Sequence, residues 1–409
     1  DENDPAPEPT VGWQIDDPGQ PQHVDDPDWR MHGHDTANSF RNQHAEGPSD
    51  DPSIQWTFNP GSSTLAYHPT IVDGTVYACG AVDPTEESDE DQTYRLVAID
   101  GETGEVDTIV TDQNVIARPC IIGETVYVAI DGEVHAYDRV TGTKQWETNN
   151  GIILYDSYTI RQVGDILLAT DGESLQFVNQ DEPTHQLYAI DPDTGDVRWE
   201  APGTGPNERL ASGLPLATDT VAVFEATRPA WRLTDGTRAG TLPQLTEGES
   251  ETNSRGSETL FGELLILVGY TANECVIVAH DWQTLEQRWC RTFPEDTDGS
   301  NPILLNGILW VPHMRTVFGL DPETGETRYK ATPEMTPDDD NLDIQLIAGK
   351  TELYGVPHDG DGAFAVDPTN GNITWEIQTE SVTGMRIGAG AVAGDLLVAH
   401  SGGKLFGIA

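Results

Sequence analysis

The sequence predicts an all-β chain folded as an eight-bladed β-propeller of four-stranded antiparallel blades. Three observations carry this. First, an acidic turn recurs: "AIDPDTGDVRWEA" from Ala189 has close copies in "GLDPETGETRYKA" from Gly319, "AVDPTNGNITWEI" from Ala365 and "AYDRVTGTKQWET" from Ala136. The Asp opening each copy stands at Asp100, Asp138, Asp191, Asp281, Asp321 and Asp367, with Arg232 in the degenerate copy "RLTDGTRAG". The steps are 38, 53, 41, 49, 40 and 46 residues, the size of a propeller blade. Second, two apolar runs precede each turn, and no convincing amphipathic helix occurs anywhere. Third, the two ends of the chain hold complementary parts of one further unit.

Each unit reads as strand, Gly-containing turn, strand, as in "HPTIVDGTVYACG", "SNPILLNGILWVPH" and "GAGAVAGDLLVAHSGG". A third strand such as "HQLYAID" leads into the acidic turn, and a fourth such as "VRWEA" leaves it. Within the turn, Asp191 is placed to accept backbone N–H bonds from residues two or three further on. Pro192 presets its own φ, and Gly195 takes the left-handed conformation that ends the turn. Eight residues after the Asp an aromatic recurs as Trp146, Trp199, Trp289 and Trp375, with Tyr329 substituting. A large aromatic once per unit is best used between adjacent blades. The Asp and aromatic positions are therefore architectural.

The C-terminal stretch 386–409 supplies three strands and no fourth. Near the N-terminus a lone strand, 54–58, carries Trp56 at the repeated aromatic position. Pairing these closes the ring and leaves no open blade. Residues 28–409 thus read as one propeller domain. Residues 1–27, acidic and Pro-rich, read as a disordered tether. Such a leader fits the mature start of an exported protein, secreted or held at the cell surface by an N-terminal lipid anchor.

Seventy Asp and Glu against 21 Lys and Arg give a net charge of −49, which argues against nucleic acid or anionic lipid as partners. Lysine is confined to Lys144, Lys330, Lys350 and Lys404. This is the surface chemistry expected of a protein adapted to molar salt, where the Debye length is about 3 Å and self-repulsion is screened.

The stretches "DGTVYACG", "YRLVAIDGETGE" and "GETVYVAIDGEVHAYDRVTGTKQWE" resemble the pyrroloquinoline-quinone-type propeller repeat, and "DWRMHGHDTANSF" from Asp28 resembles the segment that precedes such propellers. Sequences of salt-loving archaea with this repeat are similar. The resemblance covers roughly residues 28 to 409 and implies one of two branches. Quinoprotein dehydrogenases hold the quinone and calcium in the propeller. BamB-like lipoproteins are non-enzymatic interaction scaffolds of eight blades. The adjacent cysteines of the methanol-dehydrogenase-like enzymes are missing here, as is a haem-attachment CxxCH, so neither quinone nor calcium is expected as a cofactor and no catalytic residue is carried over.

Cysteines, histidines and acidic clusters are the remaining residues with chemistry of their own. Cys79, Cys120, Cys275 and Cys290 show no metal or redox spacing. Cys275 and Cys290 flank one hairpin, leaving open a cross-strand disulfide or two free thiols. His313, His358 and His400 occupy equivalent places at the ends of second strands, and His68 starts a first strand. Their expected separation of roughly 8–10 Å is too long to share one ion, making exposed hairpin histidines the expectation. Two acidic clusters, Asp83–Thr93 and His358–Gly362, lack an EF-hand pattern. The longest loops, Asp83–Thr93, Glu173–Gln186, Leu242–Ser257 and Ala331–Asn341, fall on the face opposite the acidic turns, where a rigid scaffold carries binding. The sequence therefore suggests a monomeric, extracytoplasmic scaffold that binds a protein partner on that face without catalysis. The alternatives are an enzyme, quinone-dependent or otherwise, with a site in the central channel, or a module binding surface polysaccharide.

Overall fold

The computed structural model describes residues 12–22, 26–48, 51–59, 68–81, 94–112, 115–148, 160–170, 186–202, 215–223, 229–243, 256–271, 274–294, 301–334, 344–357, 362–379, 389–401 and 404–409. Eight antiparallel sheets account for every strand, and no helix occurs among these residues. Blades 1 to 7 run in chain order. Their first strands are Thr70–Val72, Val115–Ile122, Ile160–Val163, Leu216–Ala217, Gly256–Phe261, Ile303–Leu305 and Ile344–Ala348. Blade 8 is built from Ala389–Ala393, Leu396–Ser401 and Lys404–Ile408, and Ile54–Phe58 completes it as the fourth strand. Ile54 pairs with Ile408, Trp56 with Gly407 and Phe58 with Leu405, so the expected closure of the ring is present.

First strands touch those of the next blade at six of the eight seams, from blade 1 to 2, 2 to 3, 4 to 5, 6 to 7, 7 to 8 and 8 to 1, and so surround the axis. Second and third strands are apolar on both faces, as in Ile308–His313 and Glu274–Asp281, because each sheet is covered by a blade on either side. Fourth strands such as Thr327–Ala331 alternate exposed and covered residues, since they form the outer rim.

One segment departs from the sequence reading, and one choice left open there is decided. The expected tether over 1–27 is no tether from Gly12 to Gln22. Gly12–Trp13 forms a fifth strand on blade 4, pairing with Thr241 and Gly240. Further along, Thr218 Oγ1 donates to Pro18 O at 2.7 Å, and Gln20 N donates to Asp219 Oδ1 at 3.0 Å. Composition could not show this, because the segment buries little by itself and borrows a sheet edge for its backbone bonds. The register also decides between the two states left open for Cys275 and Cys290. In the hairpin Cys275 stands opposite Phe293, and Cys290 opposite Val278, with a bulge between Ala279 and His280. A three-residue offset places them about 10 Å apart along the ladder, beyond the reach of a disulfide. Cys275 is buried, Cys290 is exposed, and both are free thiols.

Candidate functional site

Each acidic turn is held by its Asp. Asp100 Oδ1 accepts bonds from Glu102 N at 3.1 Å and from Thr103 N at 2.7 Å, and Gly104 N donates to Asp100 O at 2.8 Å. Asp138, Asp191, Asp281 and Asp321 repeat this pattern, and Asp367 does so through Thr369 and Gly371. These bonds favour the ionised carboxyl. Hydrogen bonds from Thr103 hold Asp100 below the usual carboxylate range, and those from Thr141 do the same for Asp138. For Asp191, Asp281 and Asp321 the first cause is a guanidinium, that of Arg198, Arg288 and Arg328 respectively.

The repeated Trp clamps this turn from the preceding blade. Trp146 Nε1 donates to Pro192 O at 3.0 Å, Trp199 to Leu233 O at 2.7 Å, Trp289 to Pro322 O at 2.8 Å and Trp56 to Gly101 O at 2.8 Å. In every case the acceptor is the carbonyl one residue after the Asp position. The indole face then lies against the turn glycine: a Cβ at Gly195 would stand 2.6 Å from the Trp146 ring, and one at Gly325 2.8 Å from Trp289. The Asp, Gly and Trp of the motif are thus one interlock, with Asp shaping the turn and Gly leaving room for the neighbour's indole. Tyr329 packs the same way against Gly371, without the indole N–H. Trp375 Nε1 is buried with no acceptor, because the corresponding corner of blade 8 joins strands from distant parts of the chain and contains no such turn.

At the axis, residues 28–47 cross the ring on the acidic-turn face. Trp29 exchanges bonds with Ile71 of blade 1 at 2.7 and 2.9 Å, and Arg30 O accepts from Ile121 of blade 2 at 2.9 Å. Thr36 O accepts from Ala217 of blade 4, Ala37 O from Leu260 of blade 5, and Phe40 O from Ala348 of blade 7. Asn42 Nδ2 donates to Val392 O of blade 8 at 3.0 Å. Blade 3 contributes the buried Arg161, whose guanidinium donates to Asn38 Oδ1, Pro215 O and Asp35 O. Burial pulls this guanidinium down to about 10, against the attraction of the Asp35 carboxylate, so it stays charged at neutral pH. Beside it, His32 stacks on His68 with ring centroids 3.5 Å apart, and Arg118 Nη1 lies 3.2 Å from His32 Nδ1. Burial, then Arg118 and Arg161, hold His32 well below the ordinary imidazole value, which keeps the ring neutral.

Among the described residues, the singled-out histidines of blades 6 and 8 do not converge. His313 and His400 are buried rather than exposed, on blades 6 and 8 with a whole blade between them. His313 Nε2 lies 3.0 Å from Pro294 O, and its ring packs on Phe293. His313 is the last paired residue before the Met314–Arg315 turn, yet Phe293 and Phe318 of the interblade layer cover its ring. His358 lies outside the described residues, as do Asp83–Thr93, most of Glu173–Gln186 and the central parts of Leu242–Ser257 and Ala331–Asn341. No group of three or more metal-ligating side chains occurs among the described residues. No two cysteines are adjacent in sequence, and residues 28–47 occupy the axis on the acidic-turn face. Sequence reasoning missed Trp13, His32, Asp35 and Arg161. The repeat's own irregularity, Gly240 where the Trp belongs, was the signal for the first.

A family model described as outer membrane protein assembly factor BamB matches residues 49–225 and 123–331. Comparison with curated proteins gives no match. Among solved structures the chain is similar to BamB from Moraxella catarrhalis, at 13% identity and a TM-score of 0.60, covering 88% of this chain and 99% of that one. It is also similar to a europium-containing methanol dehydrogenase, at 12% identity and a TM-score of 0.59, covering 92% and 89%. The computationally designed Ika8 protein gives 12%, 0.58, 86% and 99%. At these identities the structural likenesses establish the propeller fold and nothing about activity. The family match spans most of the blades, and with the interlocked Asp-Gly-Trp repeat it places the chain in the BamB-type family of pyrroloquinoline-quinone-like β-propellers.

Proposed function

We propose that this protein is an extracytoplasmic interaction scaffold, exported and held at the cell surface or secreted, that binds a protein partner without catalysing a reaction. The observation that carries the reading is the family match; residues 28–47, which cross the axis on the acidic-turn face, support it by closing that mouth of the ring. Partner binding is assigned to the face opposite the acidic turns, to which the second-to-third-strand loops Asp83–Thr93 and Glu173–Gln186 and the between-blade connections Leu242–Ser257 and Ala331–Asn341 belong in the order of the chain. The charge of −49 suits a partner of basic or mixed surface and a milieu of high salt, as in a halophilic archaeon.

Affinity capture with the full chain from native membranes at molar salt tests this. A stoichiometric partner lost on shortening those loops is the expected result. Dye reduction that depends on added quinone and calcium would instead establish the dehydrogenase reading.

A further inference from the structure

The seam between blades 4 and 5 breaks the repeat at three linked positions. Gly240 stands where the fourth-strand Trp belongs, Arg232 replaces the turn Asp, and in the following turn Leu285 replaces the Gly while keeping its left-handed backbone at φ 58°. An indole from position 240 would meet the Leu285 side chain where other blades offer a bare glycine. The space is filled from elsewhere. Trp13 pairs with Gly240, and its Nε1 donates to Trp282 O at 2.9 Å. Trp282 follows Asp281, so this is the same carbonyl that the other indoles seek. A Cβ at Gly240 would stand 2.9 Å from the Trp13 ring and 2.7 Å from Gly12 O. Gln14 N donates to Ala239 O at 2.8 Å, and Arg232 Nη2 reaches Gln14 O at 3.4 Å.

From this geometry we propose that the outer edge of blade 4 is a docking slot for an extended segment bearing a tryptophan, occupied in cis by residues 12–15 and opened to a protein partner's Gly-Trp strand when they leave. The slot has the parts of a strand-addition site: a sheet edge that offers backbone bonds to whichever strand lies on it, a glycine that admits an indole, and a carbonyl that orients it. Its resident is suited to exchange. The ladder is two residues long, and both residues are only half-buried. The remaining hold on the strap, through Pro18, Gly19 and Gln20, lies beyond the bend at 14–16 and survives release of the tip. Short edge pairings of this kind open at low cost relative to the ring. The inference deepens the scaffold reading by giving the partner's chemistry and rests on that reading only for its use in the cell.

The probe is a fluorescent peptide with the sequence of residues 8–16, titrated into the full chain at high salt. Removing the resident indole with Trp13→Ala frees the slot, so the peptide is expected to bind that chain at least roughly tenfold more tightly than the wild type, in which the slot is largely filled. A peptide with alanine for its tryptophan is expected not to bind. Equal affinity for both chains, or none for Trp13→Ala, overturns the proposal. So does strap exchange between wild-type chains seen as a dimer by light scattering, which would assign the slot to a second copy. The double variant Gly240→Trp, Leu285→Gly restores the repeat and closes the slot. It is expected to keep the wild-type circular dichroism, lose peptide binding and exchange the Gln14 amide faster; continued protection of that amide would also overturn the proposal. A chain that takes the peptide but captures no partner from membranes loses the scaffold reading and keeps the slot.

Discussion

Gly195 shows how much one residue of the repeat must satisfy. Its φ of 78° lies in the left-handed region, and a Cβ there would stand 2.6 Å from the Trp146 ring. Gly74 has a similar φ of 73°, with nothing within 4 Å of its Cβ position. Both Gly74→Ala and Gly195→Ala incur the backbone cost of about 1–2 kcal/mol. Only Gly195→Ala must also push an indole out of its seat, with overpacking that typically adds about 1–3 kcal/mol. Denaturant titration at constant high salt should therefore rank Gly195→Ala well below Gly74→Ala. Equal midpoints would show that the indole contact is slack. Both glycines are visible in the sequence as turn formers, but the second duty of Gly195 depends on a residue 49 positions away in another blade.

Single strands differ in what they close. Ile54–Phe58 pairs with Lys404–Ile408 and brings Trp56 onto the acidic turn of blade 1, so its loss opens both a sheet and an interblade seam. Gly12–Trp13 adds an edge to a blade that already has four strands. Deleting 54–58 should abolish cooperative unfolding at high salt, whereas deleting 1–15 should leave a folded ring with a modestly lower melting temperature. Similar losses from the two deletions would refute the closure as the source of stability. The strand 54–58 was legible because it carries the repeat's aromatic in a recognisable frame. The strap was not, since two residues beside Pro-rich acidic sequence give no period to read, and its partner edge is more than 200 residues away.

The whole molecule carries 70 carboxylates on 17641 Å² of surface. That is one per about 250 Å², a mean spacing of about 16 Å, which lies between the Debye lengths of about 8 Å at 0.15 M salt and about 30 Å at 0.01 M. Repulsion among them is thus mostly screened at physiological ionic strength and above and becomes collective near 0.01 M. Dialysis to that concentration should lower the melting temperature steeply or remove the native circular dichroism signal. A fold indifferent to salt over this range would remove the case for adaptation to a saline milieu.

By itself the sequence determined the blade: its four strands, its Asp-capped turn, its aromatic, the number of copies and the pairing of the two chain ends. These are local or periodic properties, set by side-chain alternation and by residues within ten positions of each other. Only the tertiary structure decided what the exceptions do. It seats Trp13 in the gap left by Gly240, draws residues 28–47 across the axis onto Arg161, buries His313 and His400 apart, and sets Cys275 and Cys290 out of register. Each of these depends on which surfaces face each other once the ring has closed, and no spacing along the chain encodes that.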